Sequence, residues 1–205
     1  MFTGIVQAIA PIVFIDKKNH YQTHFVKFPR SLLSNLIVGA SVAHNGCCLT
    51  VTKISDNIIC FDLIQETINL TNLGELSIGD EVNIERAVSL QTEVGGHLMS
   101  GHITCTAKIN KILHLETCCQ MLFSITDQAL MKYILYKGYI GVDGISLTVG
   151  SVFSNSFLVH VIPETLSRTT LGKRKINDKV NIEIDAQTKA IVDTTERILT
   201  SHTFT

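Results

Sequence analysis

The chain has 205 residues, 45% of them hydrophobic, and a mean hydropathy of +0.28, values that exclude general disorder. Its formal net charge of −1 divides into −3 over residues 1–97 (6 basic, 9 acidic) and +2 over 98–205 (11 basic, 9 acidic), and neither balance suggests nucleic acid or a membrane as a partner. No apolar run reaches the ~20 residues needed to span a bilayer, and the start Met1-Phe2-Thr3-Gly4-Ile5-Val6 lacks a signal peptide's basic segment and cleavage site, so a cytoplasmic location is expected.

Strand signals dominate from the N-terminus onward. Short β-branched runs bounded by turn residues occur at 12–15, 24–28, 49–54, 58–63 and 81–85, with Ser55-Asp56-Asn57 as a hairpin turn. The second half repeats the pattern at 146–153, 157–162 and 179–184, with Ser154-Asn155-Ser156 as the matching turn. Many short, closely spaced strands predict a small closed or nearly closed barrel in each half, since closure removes aggregation-prone edges. Short helical patches are expected at 30–36 and 127–135. A last helix from about Gln187 to about Thr200 would carry Ile191, Val192, Thr195, Ile198 and Leu199 on one face. Glu93-Val94-Gly95-Gly96-His97 joins the halves, and Lys173-Arg174-Lys175 reads as a solvated turn.

The chain contains itself twice. Positions 64–85 return as 162–183, 98 residues later, with 12 of 22 residues identical, including Glu66/Glu164, Thr67/Thr165 and Val82-Asn83-Ile84-Glu85/Val180-Asn181-Ile182-Glu183. Asn45-Gly46-Cys47-Cys48-Leu49-Thr50-Val51 likewise matches Asp143-Gly144-Ile145-Ser146-Leu147-Thr148-Val149. This period is the size of a small domain and far longer than a solenoid unit. Two similar folded halves are expected, 1–97 and 98–186, followed by an unrepeated helical segment 187–205. Any pocket should occur in two unequal copies, an arrangement suited to holding two similar substrates together.

Each half has a strand opening Gly-x-(Cys/Ser)-Leu-Thr-Val. Gly46 and Gly144 permit a tight turn and close approach of backbone to a ligand, and Cys48 with Thr50, or Ser146 with Thr148, share one strand face. The exchange of Cys48 for Ser146 in one slot favours a functional position over a core thiol. The six cysteines show neither Cys-x-x-Cys nor any zinc-like spacing, so no metal is expected. His97 and His102 flank Leu98-Met99-Ser100-Gly101 and read as a hydrogen-bonded structural pair. Gly101-His102-Ile103 aligns with Gly4-Ile5-Val6 at an offset of 97, and a histidine facing an isoleucine is the asymmetry expected of pockets with different tasks. Lys137 faces Gly39, and Tyr139 faces Ser41.

With these motifs in order, from Met-Phe-Thr-Gly-Ile-Val through 39–51, 95–102 and 137–149 to Ile162-Pro163-Glu164-Thr165, the whole chain resembles the riboflavin synthase family, alpha-chain type. The resemblance implies an all-β fold of two closed Greek-key barrels in tandem plus a C-terminal α-helix, assembled through that helix as a homotrimer. It implies dismutation of two 6,7-dimethyl-8-ribityllumazine molecules into riboflavin and 5-amino-6-(ribitylamino)uracil by four-carbon transfer, without a cofactor, in a site between subunits. Carried over by motif, the substrate-binding positions of the first half are Gly4, Ile5, Val6, Cys48, Leu49, Thr50, Asp62, Leu63, Ile64, Gln65, Glu66 and Thr67. Those of the second are Gly101, His102, Ile103, Lys137, Ser146, Leu147, Thr148, Ile162, Pro163, Glu164, Thr165, Leu166 and Ser167. On this reading His102, Ser146 and Thr148 handle proton transfer from the substrate methyl group, and Cys48 assists nucleophile addition at the acceptor ring. The alternatives are a non-catalytic antenna-type protein that holds lumazine or flavin, which would be expected to degrade one pocket motif, and a reductase-type flavin-binding barrel, which would need a glycine-rich nucleotide-binding turn. A purely structural duplicated barrel is the bland option, since a barrel alone implies no function.

Overall fold

A computed structural model describes residues 1–89, 91 and 93–202. The first barrel comprises β1 (Ala8–Lys18), β2 (Tyr21–Lys27), β3 (Ser41–His44), β4 (Cys47–Ser55), β5 (Ile58–Ile64) and β6 (Glu81–Arg86). The second comprises β7 (Cys105–His114), β8 (Cys119–Ile125), β9 (Tyr139–Val142), β10 (Ile145–Val152), β11 (Ser156–Val161) and β12 (Lys179–Ile184). Each closes antiparallel in the same cyclic order: β1-β2-β5-β4-β3-β6, and correspondingly β7-β8-β11-β10-β9-β12. The hairpin at Asp56 and the strands expected from 49 to 63 are present; the short β3 and β9 lie in motif segments that carry no long β-branched run.

Alternation along the strands fills both interiors. In β4, Cys47, Leu49 and Val51 are buried while Cys48 is half-buried and Thr50 exposed. Phe61, Leu63, Val82 and Ile84 join that core, and Phe123, Phe157, Val159 and Ile182 build its counterpart. The small barrels are therefore packed solid, and a ligand must bind on their outer faces. The register shifts once between β1 and β2 near Ile12 and once between β4 and β5 near Val51. The same irregularities recur near Ile109 and Val149, sharpening the bends that let six strands close.

The helical patches are smaller than the sequence suggests, reduced to 3-10 turns at Arg30–Leu32 and Gln128–Tyr133. Two one-and-a-half-turn helices appear instead at the Glu-Thr motifs: α1 (Gln65–Leu70) and α2 (Pro163–Arg168). Six residues are too few for amphipathic periodicity to show. The last helix, α3 (Ala186–His202), is as expected, and residues 203–205 of the 187–205 segment lie outside the described residues. Asp185 caps it by accepting from the Thr188 amide (2.9 Å) and hydroxyl (2.7 Å). Val192 packs on the second core, and Tyr133 and Lys132 bind Asp193 and Glu196.

The barrels meet about a pseudo-twofold axis written in the repeat. Asn83 Nδ2 donates to the Asp143 carbonyl and Asn181 Nδ2 to the Asn45 carbonyl, both at 2.9 Å. The Asn72 amide donates to Asn181 Oδ1 and the Thr170 amide to Asn83 Oδ1, both at 2.7 Å. On the axis, a Cβ added to Gly46 would lie 2.6 Å from the Gly144 nitrogen, and the reverse. The close approach expected of these glycines is thus to each other and not to a ligand. Arg174 is a second correction. It is largely buried and donates at 2.7 Å to Asp143, a fully buried carboxylate, while Lys173 pairs with Glu81. The basic run is drawn into the seam because Asp143 replaces the neutral Asn45 there and needs a counter-charge.

Candidate functional site

The outer face of the first barrel carries a cavity of about 260 Å³ where β4 begins. Cys47 and Cys48 form one wall, and Glu66, Thr67, Leu70 and Thr71, on and just after α1, form another. Gly101, His102 and Ile103 close it. This third wall comes from the second half of the sequence. The Cys48 amide donates to the Gly101 carbonyl at 2.8 Å, and Ile103 is buried in the first barrel's core. Gly101 has φ +82°, and a Cβ there would lie 2.6 Å from Cys48 Cβ, so only glycine fits.

The exchange is reciprocal. The Ser146 amide donates to the Gly4 carbonyl at 2.9 Å, and Val6 packs against the second core. Each crossing segment is anchored by a buried carboxylate of the repeated Val-Asn-Ile-Glu strand. Glu85 accepts from the Thr3 amide (2.7 Å), the Thr3 hydroxyl (2.9 Å) and the Gly4 amide (3.1 Å). Glu183 accepts from the Ser100 amide (2.6 Å), the Ser100 hydroxyl (2.9 Å) and the Gly101 amide (3.1 Å). Burial raises both carboxyl pKa values, against these donors, which favour the charged form.

The residues expected to act together are therefore regrouped. His102 lies in the Cys48 cavity, not beside Ser146 and Thr148, and Gly4-Ile5-Val6 serves Ser146. Nor do the two histidines form a pair: His97 Nδ1 lies 2.7 Å from Ser146 Oγ while His102 faces the opposite pocket. Cys48, Glu66, Thr67, Gly101, His102 and Ile103 share one cavity. Leu49, Leu63 and Leu147 are core side chains, and Leu166 packs on the second core. Thr50 and Thr148 are exposed on the outer faces, the latter opposite Tyr139 in the β9–β10 ladder. Asp62 accepts from the Thr23 hydroxyl at 2.6 Å, and Gln65 donates to Asn69 at 2.9 Å. Pro163 opens α2, where Glu164 pairs with Arg168 and Ser167 donates to the Glu164 carbonyl at 2.8 Å. Thr165 is half-buried and its carbonyl accepts from the Thr169 hydroxyl at 2.7 Å. Lys137 is exposed at φ +65°, its ammonium 5.4 Å from the Tyr136 ring centre. Ile64 and Ile162 are 60% and 57% exposed, and Leu135, Tyr136 and Tyr139 are exposed as well.

Chemically the two slots differ. Cys48 is half-buried against Phe2, Ala43 and Met99, whereas its neighbour Cys47 is buried and its thiol is pushed up to about 12, which keeps it inert. All six cysteines are free thiols, and among the described residues no group of His, Cys, Asp and Glu side chains could hold a metal ion. The lining residues Cys47, Leu70 and Thr71 escape the sequence reading, as does the Phe2–Met99 bridge behind Cys48. Only the repeat of Phe2-Thr3-Gly4 as Met99-Ser100-Gly101 hints at that bridge.

Comparison with known proteins agrees with this geometry. The lumazine binding domain matches twice, over residues 3–87 and 100–185. A riboflavin synthase of Escherichia coli (strain K12) is 60% identical over 199 residues, 97% of this chain and 93% of that protein. One from Chlamydia pneumoniae is 42% identical, covering 98% of each. Among solved structures, LumP complexed with riboflavin superposes with a TM-score of 0.84 at 29% identity, covering 90% of this chain and 100% of that one. LumP complexed with 6,7-dimethyl-8-(1'-D-ribityl) lumazine gives 0.82. No helix is long and apolar enough to cross a membrane among the described residues. With two domain matches and near-full-length identity of this order, the chain belongs to the lumazine-binding family that contains the riboflavin synthases.

Proposed function

We propose that this chain is a riboflavin synthase, a transferase that dismutates two 6,7-dimethyl-8-ribityllumazine molecules into riboflavin and 5-amino-6-(ribitylamino)uracil. The observations that carry the reading are the outer-face cavity built on Cys48 and His102, the equivalent strand start at Ser146 and Thr148 covered by the Gly4 segment in the second barrel, and 60% identity with a riboflavin synthase along nearly the whole chain. Both slots keep their polar groups, which favours turnover over an antenna role. The reaction moves a four-carbon unit from one lumazine to the other, and the two products together contain the atoms of two substrates, so no external oxidant or reductant enters the balance.

The substrate's 7-methyl group is acidic because its carbanion delocalises into the electron-poor ring. A general base is worth about 10²–10⁴ in rate, or ~3–5 kcal/mol, whereas holding two rings in reacting geometry is worth ~7–11 kcal/mol. Positioning is the larger contribution, and a duplicated scaffold supplies it. In our reading His102 and Cys48 act on one ring, Ser146 and Thr148 on the other. Ring faces pressed together need a cover for the exposed apolar groups at Ile64, Ile162, Leu135 and Tyr136. We assign that cover to a neighbouring subunit, which places the first barrel of one chain against the second barrel of the next in a homotrimer built on α3. Ile191 and Ile198, 67% and 51% exposed on that helix, support it.

The test is to incubate the chain with 6,7-dimethyl-8-ribityllumazine alone and separate the products. Riboflavin and the ribitylaminouracil are expected in equal amounts; tight binding without riboflavin would sink the proposal in favour of the antenna role. Ile191→Asp combined with Ile198→Asp should convert the trimer to a folded monomer in sedimentation, and a trimer that survives both changes removes α3 from the assembly.

A further inference from the structure

Ser146 and Cys48 occupy equivalent slots but do not have equivalent neighbours. Cys48 packs on Phe2, Ala43 and Met99. Ser146 is hydrogen-bonded to a histidine. His97 Nδ1 lies 2.7 Å from Ser146 Oγ, and the residue is only 6% exposed. The ring stacks on Tyr139 at 5.0 Å between centres and 16° between planes. Tyr139 in turn sits opposite Thr148 across the β9–β10 ladder. Gly96 brings the joining segment this close: a Cβ there would lie 2.5 Å from Ser146 Cβ and 2.3 Å from the Thr3 carbonyl oxygen. The His97 ring is thus held against the paired strands β9 and β10, beside a side chain of the second slot.

The direction of this bond turns on which ring nitrogen carries the proton. His97 Nε2 is buried and has no hydrogen-bond partner in the protein. His97 lines a cavity of about 320 Å³ together with Ser100, Tyr139 and Asp185, large enough for waters to bridge polar groups. Burial lowers the His97 pKa, which favours the neutral ring, while the Asp185 carboxylate opposes that shift. A neutral imidazole carries one N–H, and a serine hydroxyl can either donate or accept. The bond to Ser146 therefore has two forms, and in the one that protonates Nε2 the other nitrogen is left as an acceptor. In that form Nδ1 accepts and the Ser146 hydroxyl donates to it.

We propose that His97 is a positioning residue for the second slot: by taking the Ser146 hydroxyl proton into a hydrogen bond at Nδ1, it turns the Ser146 lone pairs toward the ligand, so that this slot accepts a hydrogen bond from an N–H or O–H of the bound ribityl-lumazine. An unsupported serine would present either a donor or an acceptor, and would discriminate less between ring orientations. Cys48, a weak donor and weak acceptor, makes no such demand, so the two slots hold the two rings by different rules. Asp185 also caps α3, which ties this arrangement to the helix assigned above to assembly. The proposal rests on the lumazine-dismutase reading, but its test separates the two.

The experiment is a double-mutant cycle with His97→Phe, which keeps the stack on Tyr139 and removes the hydrogen bond, and Ser146→Ala. In the parent background His97→Phe should lower kcat/KM about tenfold, a usual loss for one hydrogen bond to a bound ligand's partner. In the Ser146→Ala background the same change should cost less than about twofold, since residues acting through one another are non-additive. His97→Asn, whose amide oxygen falls near the Nδ1 position, should recover most of the activity. Losses that multiply in the double variant would overturn the proposal and leave His97 a packing residue. Should His97→Phe fail to fold, ¹⁵N NMR of the unaltered protein decides: an Nε2–H tautomer with unprotonated Nδ1 is expected, and an Nδ1–H tautomer sinks the idea. A parent protein that turns over no lumazine would instead defeat the functional reading, while the tautomer measurement stays informative.

Discussion

The two barrels share one topology, one set of bulges and one set of buried Asn and Glu anchors, yet they differ at several other buried polar positions. In the first, His44 lies fully buried between Phe28 and Phe61, 4.1 Å from the latter's ring centre, with neither ring nitrogen hydrogen-bonded. His24, paired across the ladder with Phe61, is also fully buried. In the second barrel the corresponding side chains are Val142 and Met121, as the matching pairings of Met121 with Val159 and Val142 with Ile145 show. At the seam the burden is reversed: the first barrel has neutral Asn45, the second has charged Asp143 with Arg174. Duplicated folds are therefore free to diverge in buried polarity while the backbone stays fixed, provided each buried group finds a partner or stays neutral.

The sharpest way to break the comparison is at the crossing segments. Glu183 belongs to the second barrel but anchors the segment that covers Cys48. Glu183→Ala leaves two amides and a hydroxyl without their acceptor, at ~1–3 kcal/mol per orphaned group, so a loss of ~5 kcal/mol is expected. The damage should appear in the other barrel: the Cys48 amide, which donates to Gly101, should exchange with solvent faster, and Glu85→Ala should do the same to the Ser146 amide. Hydrogen-exchange mass spectrometry reads both. Faster exchange confined to the mutated barrel would refute the crossed arrangement.

A smaller effect tests the seam. Arg174→Leu strands a buried carboxylate, and breaking such a pair costs ~3–5 kcal/mol. Adding Asp143→Asn rebuilds the pattern of the first barrel, where Asn45 accepts from the Asn83 amide at 2.8 Å and Leu76 occupies the place of Arg174. Thermal unfolding should therefore show the double variant recovering most of the stability lost in Arg174→Leu. A double variant less stable than the single one would mean that the charge itself is needed at the seam.

These contrasts mark how far the sequence could be read. The duplication, the closed barrels, the alternation that turns Cys48 and Thr50 outward, and α3 all follow from local pattern, because period-2 alternation and repeat identity are visible in one chain. The pairing of Gly46 with Gly144 and the exchange of Gly4 and Gly101 between barrels are not local. A glycine signals that a Cβ is unwelcome without saying which backbone stands in the way. Reading His102 with its own half was natural for that reason, and the fold overrides it by passing residues 101–103 over the other barrel. Arg174 misled in the same manner, since a change of charge between repeats marks either a solvated turn or a compensated burial, and only the position of Asp143 decides.

The acid response of the two barrels gives the finest comparison. Burial lowers the pKa of His44 to about 3 and that of His24 to about 4, from an ordinary 6.5, with the His24 charge and the Lys17 charge as respective further causes. Both histidines are neutral in the folded barrel but take up protons when unfolded below pH 6.5. Their contribution is therefore fully present above that value and is lost as pH falls toward 4. Linkage sets the loss at ~2 kcal/mol for each histidine at pH 5. The first barrel should open before the second as pH is lowered from 7 to 5, which exchange rates resolved by barrel would show. His24→Met, the side chain that the second barrel uses, should remove about 2 kcal/mol of this pH dependence with little change at pH 7, because the two side chains are similar in volume. If the barrels loosen together, or if His24→Met leaves the acid midpoint of the first barrel where it was, buried histidine is not what separates the two halves.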